Sequence, residues 1–151
     1  MKKIMIVDDN YLSAEGIEKN IDWEALNAEI VHVCYNGTSA IEAMKKEPAD
    51  LIISDIEMPD LDGISMSRQA LEINPMVKII LISAYDKFEY ARRALLLGAL
   101  DYIEKPLDYA YLIQKVKNAF ALMEREQKNL QLLKQSRPLL TEKFFREITH
   151  L

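Results

Sequence analysis

Two rhythms of apolar and polar positions alternate along this chain. Five short runs, Lys3–Val7, Ile30–Cys34, Leu51–Ser54, Val77–Ile82 and Leu100–Ile103, are rich in Val and Ile and little interrupted by polar residues. That is how strands covered on both faces read. Between them lie stretches of helical composition, roughly Tyr11–Asn20, Thr38–Lys46, Ile64–Ile73, Lys87–Leu97 and Leu107 onward. Ile64, Met66, Ala70, Leu71 and Ile73 supply one apolar side of the third helix. Asn36-Gly37 and Asp62-Gly63 read as turns before the second and third helices, and Gly98 stands where the fourth should stop.

Strand and helix in strict alternation predict an α/β fold: five parallel strands, doubly wound, with helices on both faces. In such sheets ligands sit beyond the carboxyl ends of the strands, near the point where strand order reverses. The polar residues are placed accordingly. Asp8 and Asp9 follow the first run, Asp55 the third, Ser83 the fourth and Lys105 the fifth. Five polar side chains from four strands therefore converge on one rim.

Composition narrows the functions this fold could carry. The chain has 151 residues, half of them hydrophobic, enough for one domain and a modest extension. Its formal net charge of -5 argues against a nucleic-acid-gripping surface in this stretch. No apolar run approaches a membrane span and no secretory leader opens the chain, so a cytoplasmic location is the default expectation. The single Cys34 can form neither an internal disulfide nor a metal site alone, and reads as a small buried hydrophobe.

Three carboxylates close together repel one another unless a cation joins them. An oxygen-only set with no His or Cys cluster suits Mg²⁺ rather than zinc. A carboxylate beside Mg²⁺ can also attack phosphorus, and phosphoryl transfer asks mainly for positioning and positive charge. The Lys105 ammonium supplies charge and the Ser83 hydroxyl a hydrogen bond. Each acid alone could instead be a helix N-cap, the reading preferred for Asp62 and Asp86. The combination of Asp8, Asp9, Asp55 and Lys105 is harder to explain by capping.

These residues resemble the response-regulator receiver domain of two-component signalling. The motifs "IVDDN", "DIEMPDLDG", "LISAY" and "DYIEKP" carry the resemblance, in order and spacing, over residues 1 to 122. It implies a flavodoxin-like sheet of order 2-1-3-4-5. It also implies Asp55 as phosphoacceptor, Asp8 and Asp9 as the acidic pair holding Mg²⁺, and the Glu57 backbone carbonyl as a further ligand. Lys105 would contact the phosphoryl group, Ser83 and Tyr102 would form the switch pair, and the Lys105–Pro106 bond would be cis. Glu57 and Tyr85 would affect how water reaches the phosphoryl group. The implied partner is a sensor histidine kinase. "IDWEAL", "SAYDKFEYARRALLLGALDYIEKPLD" and "LLTEKFFREI" are similar to regulators that carry an AraC-type DNA-binding domain, for which this chain has no room.

Residues 123–151 read as a helical linker or dimerisation extension leading to that absent domain. Ile113, Val116, Phe120, Met123, Gln127 and Leu130 step by three and four, and Ser136 and Pro138 end the helix. A last amphipathic segment, with Leu140, Phe144, Ile148 and Leu151 on one face and Phe145 beside it, needs a partner and suggests a piece of a longer protein. A homodimer could form through this helix or through the face of the fourth helix, fifth strand and fifth helix.

Three competing readings exist. A phosphatase of the haloacid-dehalogenase type also uses a strand-end Asp with a second acid two residues on, here Glu57, but needs a substrate cap and more chain. A receiver-like module that binds partners without being phosphorylated would not need the five-residue set. A nucleotide-binding domain lacks its Gly-rich loop after the first strand.

Overall fold

The computed structural model describes residues 1–84 and 88–136. Five strands and five helices alternate: β1 (Lys2–Val7), α1 (Tyr11–Asn20), β2 (Ala28–Cys34), α2 (Gly37–Lys46), β3 (Leu51–Asp55), α3 (Gly63–Ile73), β4 (Lys78–Ser83), α4 (Phe88–Leu97), β5 (Asp101–Glu104) and α5 (Tyr109–Ser136). All pairings are parallel and the strand order is β2-β1-β3-β4-β5. The order reverses between β1 and β3, the point at which this architecture opens a crevice at the carboxyl ends of its strands.

Strand side chains alternate between faces. Met5, Val7, Ile52, Ile79 and Leu81 share one buried cluster with Ile41 and Met44 of α2, Ile64, Met66 and Ala70 of α3, and Ala94 of α4. The intervening Ile4, Ile6, Leu51, Ile53, Ile80 and Ile82 are buried on the other face, as are Ala14 and Ile17 of α1 and Leu112, Val116 and Ala119 of α5. Each such Ile or Leu contributes about 1.5–3 kcal/mol through burial.

The central strands match the expectation of strands covered on both faces, but β2 does not. Glu29 is exposed and residues 30–33 are half-buried, because β2 is an edge strand with one neighbour. β5, at the other edge, buries only Ile103. Strand ends also shift. Val77 donates its amide to the Asn74 carbonyl at 3.1 Å and closes a turn, so β4 begins at Lys78. The ladder runs further at the carboxyl end. The Ile56 amide donates to the Ile82 carbonyl and the Lys105 amide to Ser83, so Asp55 and Ser83 are the last residues of their strands.

Helix starts follow side-chain capping. Asn10 caps α1, accepting from the amides of Leu12 and Ser13; Asn36 caps α2 and Asp62 caps α3, each accepting from the amide three residues on. Gly98 adopts φ 90 after α4, a conformation that favours glycine. Asp86, expected as a cap, lies outside the described residues, as do Pro138 and the segment containing Leu140, Phe144, Phe145, Ile148 and Leu151. The chain divides into two units, Met1–Ala119 and Phe120–Leu151. In the second, the described residues continue α5, with Leu130, Leu132 and Leu133 about half exposed.

Candidate functional site

Sheet register brings the acids together. Val7 lies beside Ser54, so the next residues, Asp8 just past β1 and Asp55 at the end of β3, stand side by side. Ser83 pairs with Glu104, which sets Lys105 one step beyond it on the same rim. The Lys105 ammonium donates to Asp8 Oδ2 at 3.1 Å and to Asp55 Oδ2 at 3.2 Å. Both carboxylates are buried, whereas Asp9 is exposed. Carboxylate oxygens of Asp8, Asp9 and Asp55 lie within 4.8 Å of one another.

Capping does not account for this cluster. Asn10 occupies the cap of α1, and Asp8 instead accepts the Asn10 amide through Oδ1 at 2.9 Å, which holds the turn after β1. Asp55 is fixed by its backbone. Gly63 donates its amide to the Ile56 carbonyl at 2.8 Å, and a Cβ on Gly63 would stand 2.1 Å from the Asp55 carbonyl oxygen. Only glycine lets α3 start this close to the acceptor loop.

The charges are incompletely balanced. Burial holds the Asp55 carboxyl above the usual carboxylate range; Lys105 pulls it down, while Asp8 and Asp9 push it up. Burial alone would lower the Lys105 ammonium, but Asp55 and Asp8 outweigh it and the group is raised. The ammonium meets Asp8 and Asp55, Asp9 adds a third carboxylate to the cluster, and the ligand atoms on offer are all oxygens. That set fits a hard divalent cation such as Mg²⁺, which relieves the excess negative charge.

Ser83 is fully buried at the end of β4. Tyr102 is half-buried on β5, beside Leu81, and packs against the core. The Lys105–Pro106 peptide is cis. Glu57 lies two residues past Asp55, in the loop after β3. Tyr85 lies outside the described residues. Cys34 is buried and its thiol is pushed up to about 11 by burial.

The sequence reading missed one feature. A cleft of about 310 Å³ opens beside the acids, lined by Asp9, Glu57, Pro59, Asp62, Tyr90 and Arg93. Tyr90 and Arg93 are three apart on α4 and so share a face, a spacing visible in the sequence, but nothing there says that this face meets the loop after β3.

Residues 4–117 match the family of the response regulator receiver domain. The chain belongs to the response regulator receiver family. This receiver superimposes on the receiver domain of AraT, a response regulator from Geobacillus stearothermophilus, with a TM-score of 0.79 and 35% identity over 83% of this chain and 98% of that one. It is also similar to a two-component transcriptional regulator AraC from Clostridium phytofermentans, with a TM-score of 0.75 and 30% identity over 85% and 99% of the chains. The CheX–CheY–BeF3–Mg²⁺ complex from Borrelia burgdorferi matches with a TM-score of 0.69 and 28% identity, over 79% and 89%. Among curated proteins, the transcriptional regulatory protein HptR of Staphylococcus aureus is 30% identical over 74% of this chain. The uncharacterized transcriptional regulatory protein YesN of Bacillus subtilis is 29% identical over 83% of it. The receiver spans 44% of HptR and 34% of YesN. Among the described residues, no helix is long and apolar enough to cross a membrane.

Proposed function

We propose that this receiver accepts a phosphoryl group on Asp55 from a sensor histidine kinase and thereby switches a transcriptional output. The observation that carries the reading is the convergence of the Lys105 ammonium on Asp8 and Asp55, with Asp9 in reach. An Asp55 carboxylate oxygen attacks phosphorus, and its O–P bond forms as the donor's P–N bond breaks. The Lys105 ammonium meets the incoming phosphoryl oxygens, and the Ser83 hydroxyl donates to another. Asp8 and Asp9, with Asp55 and the Glu57 backbone carbonyl, are the residues to hold Mg²⁺. When bound, the ion supplies positive charge to the phosphoryl oxygens and offsets the clustered acids. A related CheY solved with BeF3 and Mg²⁺ supports this assignment.

Once phosphate is on Asp55, Ser83 moves to satisfy one of its oxygens. The buried end of β4 then repacks against α4, and Tyr102 turns inward on β5. The bias between the two states is on the order of a few kcal/mol. The face of α4, β5 and the first turns of α5 is the output surface and a candidate homodimer face; the later turns of α5 are the alternative. Transcriptional relatives longer than this chain support an output through a DNA-binding part, of AraC type, outside residues 1–151. On this reading the receiver is a cytoplasmic switch rather than a metabolic enzyme, with residues 1–122 as the phosphoacceptor domain and 123–151 as a linker or dimerising extension.

Fluorine NMR with beryllofluoride tests the site. Bound fluoride resonances should appear with wild-type protein and Mg²⁺, and vanish with Asp55→Asn or on removal of Mg²⁺. Equal signals from Asp55→Asn would refute Asp55 as the acceptor.

A further inference from the structure

Gly16 sits in the middle of α1 without a positive φ, so no backbone conformation calls for glycine there, and glycine is a poor helix former. Its place is explained by α5. The hydroxyl oxygen of Tyr109, the first residue of α5, stands over Gly16 in the space that a Cβ would take, with the ring carbon Cζ 3.6 Å from the Cβ position. The Asn20 side-chain amide closes the same notch and donates to the Gly16 carbonyl at 2.9 Å. Both helices lead back to the acid cluster. Asp8 accepts the Asn10 amide at 2.9 Å, and Asn10 caps α1. Asp108 caps α5, accepting from the Ala110 amide at 2.9 Å, and stands three residues after Lys105. The Lys105 ammonium in turn donates to Asp8 Oδ2 at 3.1 Å. The contacts thus form a closed ring, from Asp8 along α1 to Gly16, across to Tyr109, and back through Lys105 to Asp8.

We propose, on the phosphoacceptor reading above, that Tyr109 is a positioning residue for Lys105. Its hydroxyl, seated on Gly16, sets how far the start of α5 stands from α1, and so where the ammonium meets Asp8, Asp55 and the incoming phosphoryl oxygens. A lysine side chain is flexible, so its aim depends on a backbone held at both ends. Upstream, the Lys105 amide donates to the Ser83 carbonyl at 2.8 Å and ties the residue to β4. Downstream, the next fixed point is the Tyr109 seat, four residues on. Tyr109 touches neither the acids nor the phosphoryl group and acts only through Lys105. The seat is matched in size: glycine accepts the tyrosine hydroxyl, whereas alanine would leave room for the phenylalanine ring alone.

Phosphorylation by acetyl phosphate with Mg²⁺, followed by intact mass, tests the seat on Gly16→Ala, Tyr109→Phe and the double variant. An alanine Cβ forces the hydroxyl back by roughly 1 Å to reach ordinary contact. The Gly16→Ala rate should fall at least ~10-fold, because a misplacement of ~1 Å costs on the order of 10²-fold and the segment between Tyr109 and Lys105 absorbs part of it. Alanine is the better helix former, so α1 itself is not weakened. Affinity for Mg²⁺, read by calorimetry, should stay at the wild-type value, because the carboxylates keep their places. Tyr109→Phe removes the obstructing oxygen, so the double variant should return to the rate of Tyr109→Phe alone. Tyr109→Ala, which empties the seat without altering α1, should also slow phosphorylation at least ~10-fold. A wild-type rate from Gly16→Ala or Tyr109→Ala, or a double variant no faster than Gly16→Ala, would overturn the positioning role while leaving Asp55 as acceptor. Wild-type protein that takes up no phosphoryl group and binds no beryllofluoride would overturn the acceptor reading and the positioning role together.

Discussion

Substituting Gly63 by alanine probes the packing that sets the acceptor. The new Cβ would lie 2.1 Å from the Asp55 carbonyl oxygen and 3.0 Å from both the Asp55 carbonyl carbon and the Ile56 Cα. Ordinary contact begins near ~3.4 Å, so one of these backbones must move by roughly 1.3 Å. The obstructing atoms are main chain inside a hydrogen-bonded loop, not the end of a flexible side chain, so they yield poorly. Overpacking of this kind costs about 1–3 kcal/mol, and the backbone contacts argue for the upper end. For a domain of this size, ~3 kcal/mol corresponds to a fall in melting temperature of about 10 °C. A shift of ~1 Å in a reacting group costs on the order of 10²-fold in rate, so phosphorylation by acetyl phosphate should slow comparably. Gly98→Ala is the control. Its φ of 90 is strained for alanine, yet nothing lies within 4 Å of the added Cβ, so it should cost ~1–2 kcal/mol and leave phosphorylation unchanged. Calorimetry and a phosphorylation time course on both variants decide the matter. A Gly63→Ala protein that melts within ~2 °C of wild type and phosphorylates at the wild-type rate would refute the argument.

Three further predictions concern charge and burial. Asp55 is raised, so the folded metal-free protein holds that proton more tightly than the unfolded chain; this group's effect on stability worsens as pH rises from the ordinary carboxylate range through the raised value. Asp55→Asn should therefore raise the melting temperature of metal-free protein at neutral pH and flatten its loss of stability across that window. Lys105→Met leaves the buried Asp8 and Asp55 without their ammonium; because Lys105 is 20% exposed, solvent reduces the usual cost of a broken buried pair to about 1–2 kcal/mol. Urea titration should show that loss at neutral pH and a smaller one at acid pH, where the carboxyls take up protons, and phosphorylation should fall by roughly 10²-fold. The Cys34 thiol, buried and with a pKa of about 11, should resist Ellman's reagent at pH 8 in native protein and react fully in urea.

Much of the fold was legible because the apolar runs are long in Val and Ile and the punctuation is sharp. Asn36, Asp62 and Gly98 cap or end helices where the sequence placed turns and stops. The coming together of Asp8, Asp55 and Lys105 followed from one rule, that their strands end on one rim, and register makes it literal. Edge character was not legible. β2 reads as apolar as β1, and only strand order shows that it has one neighbour. The buried face of α5 coincides only in part with the stripe of apolar positions along it. The stripe read from the sequence contains the buried Val116 and Phe120 but also the half-buried Ile113 and Met123 and the exposed Gln127 and Leu130, and it leaves out the buried Leu112 and Ala119. Small residues such as Ala119 carry little signal in a heptad pattern. Lys105 bonding both Asp8 and Asp55, and Tyr90 and Glu57 lining one cleft, bring together residues far apart in the chain, which no local pattern encodes.

The central claim is that Asp55 takes a phosphoryl group in a site completed by Mg²⁺. Intact mass after incubation with acetyl phosphate addresses it most directly. Wild-type protein with Mg²⁺ should gain a single phosphoryl group, and both Asp55→Ala and wild type without Mg²⁺ should gain none. A phosphoryl group on Asp55→Ala, or no group on wild type together with no binding of beryllofluoride, would contradict the account.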